Sequence, residues 1–302
     1  MADQSEKNFK PTDKILEQIV TNRREEVVEL QNSEADQIKD LEKRGQKQIS
    51  DLKKALPNDL SGLLEKQEER HEEESKATES HVKEIKEELV ESTPKPQFQT
   101  QIHPGIADGK LIAPSSLGWF TPYYGTLHGS DGSIYWQGYN PGNINLWDRA
   151  SGHGSGLFGT GASSFTVYMD WWFTYIPREN GYYNHTIWVP FHGFYILKAD
   201  DGFFTSKEAH SRIDLSARGY QYNYKASGST NVFSMGSQNI NVNDRFDGWR
   251  TMYYSDLLGA DRAYLLVTTS YHVYARGGGS YAELNFSDGT ANYIGVPWVY
   301  IT

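Results

Sequence analysis

Residues 16–63 place an apolar residue at every eleventh position in two parallel rows, and that spacing restricts the fold more than any other feature of the chain. One row runs Leu16, Val27, Ile38, Ile49 and Leu60; the other runs Ile19, Leu30, Leu41, Leu52 and Leu63. The rows are three residues apart, so on an α-helix they share one face. Eleven residues in three turns is about 3.67 per turn, and a seam on that period stays nearly straight or winds slightly to the right. The stripe is narrow, and charged residues surround it. A lone helix of this kind has little stability of its own. The pattern therefore predicts a stalk in which copies of the chain supply the missing faces, with these row residues as the oligomerisation seam. Mixed β-branched and γ-branched seams favour a parallel trimer. An ordinary bundle inside a globular protein wants a wider apolar face. A lipid-surface helix wants basic and aromatic residues that this segment lacks. Pro57 predicts an interruption, with Asn58 or Asp59 restarting the helix. Beyond it, Val82, Ile85 and Leu89 renew the stripe.

Composition changes near residue 94. Residues 1–93 contain one aromatic, Phe9, whereas residues 98–302 hold all eight tryptophans and all twenty tyrosines. The segment STPKPQ (92–97) lies between them, and its prolines cannot continue a helix. The expected organisation is a disordered terminus (1–11), a helical coiled-coil stalk (12–91), a Pro-rich linker (92–97) and an all-β antiparallel sandwich head (98–302), jelly-roll-like.

Alternation predicts the strands of the head. In SFTVYMDWWFTY (164–175), Phe165, Val167, Met169, Trp171, Phe173 and Tyr175 take one face, and Thr166, Tyr168, Asp170, Trp172 and Thr174 take a polar one. GYQYNYK (219–225) reads as a strand with Tyr220, Tyr222 and Tyr224 on one side. AYLLVTTSYHVYARGGGSYAELNF (263–286) reads as two strands joined at Gly277–Gly279. HTIWVPFHGFYILKADDGFF (185–204) supplies one or two strands turning at Asp201-Gly202, and NYIGVPWVYI (292–301) a last one. SDGT (287–290) signals a tight turn. Residues 105–161 read as long loops with short strands.

The chemistry-bearing motifs are few. There is no G-x-S-x-G, no phosphate loop and no H-E-x-x-H. Cysteine is absent, which excludes disulfides and thiolate metal sites. His185 and His192 are seven apart, which puts them on opposite faces of an unbroken strand. Asp170 has no visible carboxylate partner for glycoside hydrolysis. NVNDRFDG (241–248) has an arginine where a calcium loop needs oxygen and reads as a turn. No metal, cofactor or catalytic residue is expected. The net charge of −10 disfavours nucleic acid. No apolar run is long enough to span a membrane. The first residues, MADQSEKNFKPTDK, do not resemble a secretory signal, so synthesis in the cytosol is expected, with any export following a signal-independent route or a larger particle.

Aromatics beside Asn, Asp and Arg are the usual means of holding a sugar, through ring stacking and hydroxyl bonding. Trp119, Tyr123, Tyr124, Trp136, Trp147, Tyr182 and Tyr183 have that setting in expected loops, where binding residues tend to lie. The sequence thus predicts a non-enzymatic oligomeric attachment protein whose head recognises a glycan or surface ligand. A structural subunit of a particle, and a toxin component acting at a membrane, are the alternative expectations.

Overall fold

The computed structural model describes residues 14–55, 61–92, 110–112, 120–128, 132–140, 145–153, 161–200, 207–222, 224–286, 288, 293–296 and 298–301. Among the described residues, two helices, α1 (Lys14–Ala55) and α2 (Ser61–Glu91), precede thirteen strands. These are β1 (Lys110–Ile112), β2 (Phe120–His128), β3 (Gly132–Asn140), β4 (Asn145–His153), β5 (Ala162–Tyr175), β6 (Gly181–Ala199) and β7 (Glu208–Gln221). They continue as β8 (Tyr224–Ser237), β9 (Ile240–Leu258), β10 (Ala263–Arg276), β11 (Tyr281–Asn285), β12 (Tyr293–Gly295) and β13 (Trp298–Ile301).

The strands form an antiparallel sandwich. One sheet has the order β2-β5-β10-β7-β8. The other is built on β6, which pairs along its whole length with β9 and on its opposite side with β13, β12 and β11 in succession. Alternation explains the core. Met169, Trp171 and Phe173 of β5, Leu265 and Val267 of β10, and Ile187, Val189 and Leu197 of β6 all point between the sheets. Gly193 lies where β6 runs closest to β11. A Cβ there would sit 2.3 Å from the Asn285 carbonyl oxygen and 2.7 Å from the Phe286 ring. Backbone cannot retreat without breaking the β6–β11 pairing, so Gly193→Ala is expected to cost about 2–3 kcal/mol, read as a lowered melting temperature.

The helices do not project as a stalk. They are the outer layers of the same molecule. Leu16 and Val20 of α1 pack on Trp172, Tyr264 and Leu266, on the outward face of the β5–β10 sheet. Val82 and Leu89 of α2 pack on Phe194, Ile196 and Tyr281, on the outward face of the other sheet. The sequence reading failed here for a definite reason. The polar face of β5 looked like a solvent face, but Asp170 is fully buried and holds Arg23 of α1 through Oδ2 to Nε at 3.0 Å. Thr268 donates to the other carboxylate oxygen at 2.6 Å. Further polar ties follow: Arg218 to Glu26, Lys207 to Glu74 at 2.7 Å, Lys86 to Glu283 at 2.8 Å, and the Thr78 hydroxyl to the Gly279 carbonyl at 3.0 Å. A helix with few apolar residues finds its missing face on its own sandwich. The linker beyond Ser92, the first thirteen residues and residues 56–60, with Pro57 and Leu60, lie outside the described residues.

Several local expectations change as well. Residues 241–248 are not a turn but the middle of β9. GYQYNYK is the β7–β8 turn, with Tyr222 at φ 53°, a conformation rare for a bulky residue. Residues 105–161 include three nine-residue strands, β2, β3 and β4. Residues 185–199 belong to one strand, and the expected last strand is two short ones, β12 and β13. The Gly277–Gly279 connection holds, with positive φ at both glycines. His185 points inward and His192 lies on the opposite face, beside Asp247 at 3.3 Å.

Candidate functional site

A groove of about 420 Å³ opens on the outward face of the β5–β10 sheet, with α1 as one wall. Strand geometry builds its floor. Ser164, Thr166 and Tyr168 alternate along β5, and Ser270, His272 and Tyr274 along β10, directly opposite in antiparallel register. Arg212 and Asp214 of β7 pair with His272 and Ser270 and form the second wall. Glu34, Gln37, Ile38 and Leu41 of α1 close the first. A second lobe of about 450 Å³ adjoins at His272 and Tyr274 and reaches His210. Gly236 makes room there, because a Cβ would meet the His210 ring 2.0 Å away.

The polar groups are ordered by a hydroxyl relay. Thr166 Oγ1 donates to Glu34 Oε2 at 3.0 Å and lies 2.9 Å from His272 Nδ1. A hydroxyl has one proton, so His272 Nδ1–H must donate to Thr166. That leaves Nε2 of the neutral ring as an acceptor. Burial, with His210 and Arg212 nearby, pushes the His272 pKa down to about 4. Tyr168 donates to the other Glu34 oxygen at 3.3 Å. Burial raises the Glu34 carboxyl above its ordinary value, against the two hydroxyls that lower it. Across the groove, Asp214 takes Arg212 at 2.5 Å and the Asn231 amide at 2.9 Å. Each carboxylate therefore has both oxygens engaged. The floor offers neutral hydroxyl and imidazole groups between the Tyr168 and Tyr274 rings.

Six of the seven aromatics singled out in the sequence fall within described strands. Trp119 lies outside the described residues. Tyr123 and Tyr124 belong to β2, Trp136 to β3 and Trp147 to β4, all in strands rather than loops. β2 and β3 are edge strands on one side of the sandwich. Tyr182 and Tyr183 begin β6 beside β9, the edge strand of the other side. Tyr183 is a structural pin: its hydroxyl donates to the Glu179 carbonyl at 2.7 Å and accepts from the Glu179 N–H. Tyr182 is exposed, as are Trp249 and Tyr253 of β9. The three share the outward face of their sheet, with the Asn184–Ser255 pair alongside. The groove residues were missed because their signal is weak: Ser-x-His-x-Tyr in β10 and Arg-x-Asp in β7 alternate on strands whose other residues are core.

Asp170, considered as a catalytic carboxylate, is committed to Arg23 and Thr268. Among the described residues, no three His, Asp or Glu side chains are grouped to hold a metal ion, and no helix is long and apolar enough to cross a membrane.

No protein-family model matches this chain, and no curated protein matches it. Solved structures give only faint likenesses. A carbohydrate-binding module, TmCBM61, solved with β-1,4-galactotriose, is 10% identical over 60% of this chain and 87% of its own, with a TM-score of 0.21. A family 35 carbohydrate-binding module from Clostridium thermocellum is 11% identical over 65% of this chain and 98% of its own, with a TM-score of 0.20. The enzymatically active domain of bacteriophage CBA120 tailspike protein 4 is 16% identical over 63% of this chain and 20% of its own, with a TM-score of 0.19. Likenesses at that level carry no argument, and the functional reading is built on the groove alone.

Proposed function

We propose that this chain is a non-enzymatic carbohydrate-binding protein whose ligand lies in the groove between α1 and the β5–β10 sheet. The carrying observation is the floor: hydroxyls and a neutral imidazole at regular strand spacing, between two tyrosine rings and two fully engaged carboxylates. Such a surface offers a neutral polyol many paired donors and acceptors. A groove of this size with a few convergent polar groups is the usual form of a small-ligand site. Binding is favoured over catalysis because both groove carboxylates are tied at each oxygen to protein donors, which fixes them as orienting groups for the floor.

A glycan array probed with the full chain tests the reading. Arg212→Ala should weaken the retained glycan about tenfold, the value of one charged hydrogen bond lost. A blank array would contradict the proposal. The exposed aromatic strip on β6 and β9 supports a second reading, with stacking as the main contact. If Trp249→Ala with Tyr253→Ala abolishes binding and Arg212→Ala leaves it intact, the site belongs to that strip instead.

A further inference from the structure

The groove and its second lobe are parts of one trough that crosses the strands. Register places Thr166 of β5 opposite His272 of β10, His272 opposite Arg212 of β7, and Arg212 opposite Ser234 of β8. These residues make a row at right angles to the strands. Glu34 of α1 stands at its head, bonded to Thr166 at 3.0 Å. His272, Arg212 and Tyr274 line both lobes, which therefore share a floor. From β5 to β8 the row crosses β10 and β7 and spans about 14 Å at the usual strand spacing.

The two ends of the trough differ. Gln37, Ile38 and Leu41 of α1 close the first lobe. Glu34 pins this stretch of α1 to β5 through Thr166 and Tyr168, so the wall is fixed. The second lobe ends on β8, the last strand of its sheet among the described residues, where Ser234 and Gly236 are exposed. We propose, resting on the groove as the ligand site, that the ligand is a linear oligosaccharide crossing both lobes, with one chain end against α1 and the rest leaving over β8. A single sugar ring fills one lobe and leaves the remainder of the polar row unused. At the junction of the lobes, His272 Nε2 accepts a chain hydroxyl, because Thr166 and Glu34 hold the ring proton on Nδ1. Arg212 beside it is oriented by Asp214 through Nε at 2.5 Å, which leaves its Nη groups to donate to the same chain. Ser234 extends the row of hydroxyls to the sheet edge.

Calorimetric titration of the full chain with oligosaccharides of glucose, galactose, mannose and xylose, from one unit to six, is the test. For the sugar that binds, affinity should rise about tenfold from one unit to three, as Arg212 and Ser234 come into reach, and then level off. Six-unit chains and far longer ones should each bind one protein, because only one chain end meets α1. Ser234→Trp, at an exposed position, should fill the second lobe. It should remove the gain from length while leaving the melting temperature and the affinity for a single unit unchanged. Affinity that does not rise with length in the wild type, or long chains that load several proteins, would overturn the proposal and leave the groove as a sugar site of another kind. Binding at no length would remove the groove reading itself, and the chain proposal with it.

Discussion

Replacing Arg23 by Ala should destabilise the protein by about 3–5 kcal/mol, the usual cost of leaving a buried charge without its partner. Asp170 is 0% exposed, and Arg23 itself is 4% exposed. The guanidinium donates through Nε at 3.0 Å, and Thr268 cannot neutralise the carboxylate it leaves behind. Burial raises the Asp170 pKa against the pull of Arg23, so removing Arg23 makes the charged carboxylate costlier still. Urea denaturation should show the loss, and proteolysis should begin within α1. Arg23→Met combined with Asp170→Leu should recover most of it, because the pair is replaced by apolar groups of similar shape. A loss below 1 kcal/mol in Arg23→Ala would mean that α1 does not rest on the sheet.

Acidification should produce the second large effect. His185 is 1% exposed, its Nε2 lies 2.6 Å from the Tyr175 hydroxyl and its ring stacks on Tyr254 at 4.4 Å. Burial lowers its pKa from 6.5 to about 4. His272 is lowered to about 4 as well. Between these values the unfolded chain takes up protons that the folded chain refuses. Stability is therefore complete above pH 6.5 and falls as the pH drops towards 4. His185 alone accounts for on the order of 3 kcal/mol, at about 1.4 kcal/mol per pKa unit; His272, partly open to the groove, contributes less. Glu26 adds a smaller loss at lower pH, since its hydrogen bonds with Arg218 hold it at about 2 and that contact is partly exposed. Asp256 works the other way. Burial raises its pKa, against a backbone hydrogen bond from Leu257, so it is easiest to accommodate when protonated. His185→Gln should flatten the decline in chemical-denaturation stability between pH 6.5 and 4. An unchanged profile would place the titration elsewhere.

Much of the β architecture was legible because burial enforces a period of two. Met169, Trp171, Phe173 and Tyr175 of β5 fall on the inward face that alternation assigns, and the Gly277–Gly279 turn is where glycine is needed. The position of the helices was not legible. An eleven-residue stripe states that a helix has one apolar face, but not whether that face meets a copy or the chain's own sheet. The missing information lies in single residues separated by 147 positions: Arg23 is one charge among many until Asp170 is known to be buried opposite it. The groove was hidden for the same reason, because Glu34 reaches Thr166 and Tyr168 only after α1 docks. An aromatic residue by itself does not name its role, because tyrosine serves turns as readily as ligands, and Tyr183 shows this directly.

Hydrogen exchange on the chain over a range of protein concentrations tests the central claim most directly, because it reads α1 and the sandwich separately. If α1 is a layer of its own molecule, amides from Leu16 to Ile38 will be protected nearly as strongly as those of β5 and β10, at every protein concentration. Exchange of that helix within seconds while the strands stay protected would show an undocked helix and contradict the account.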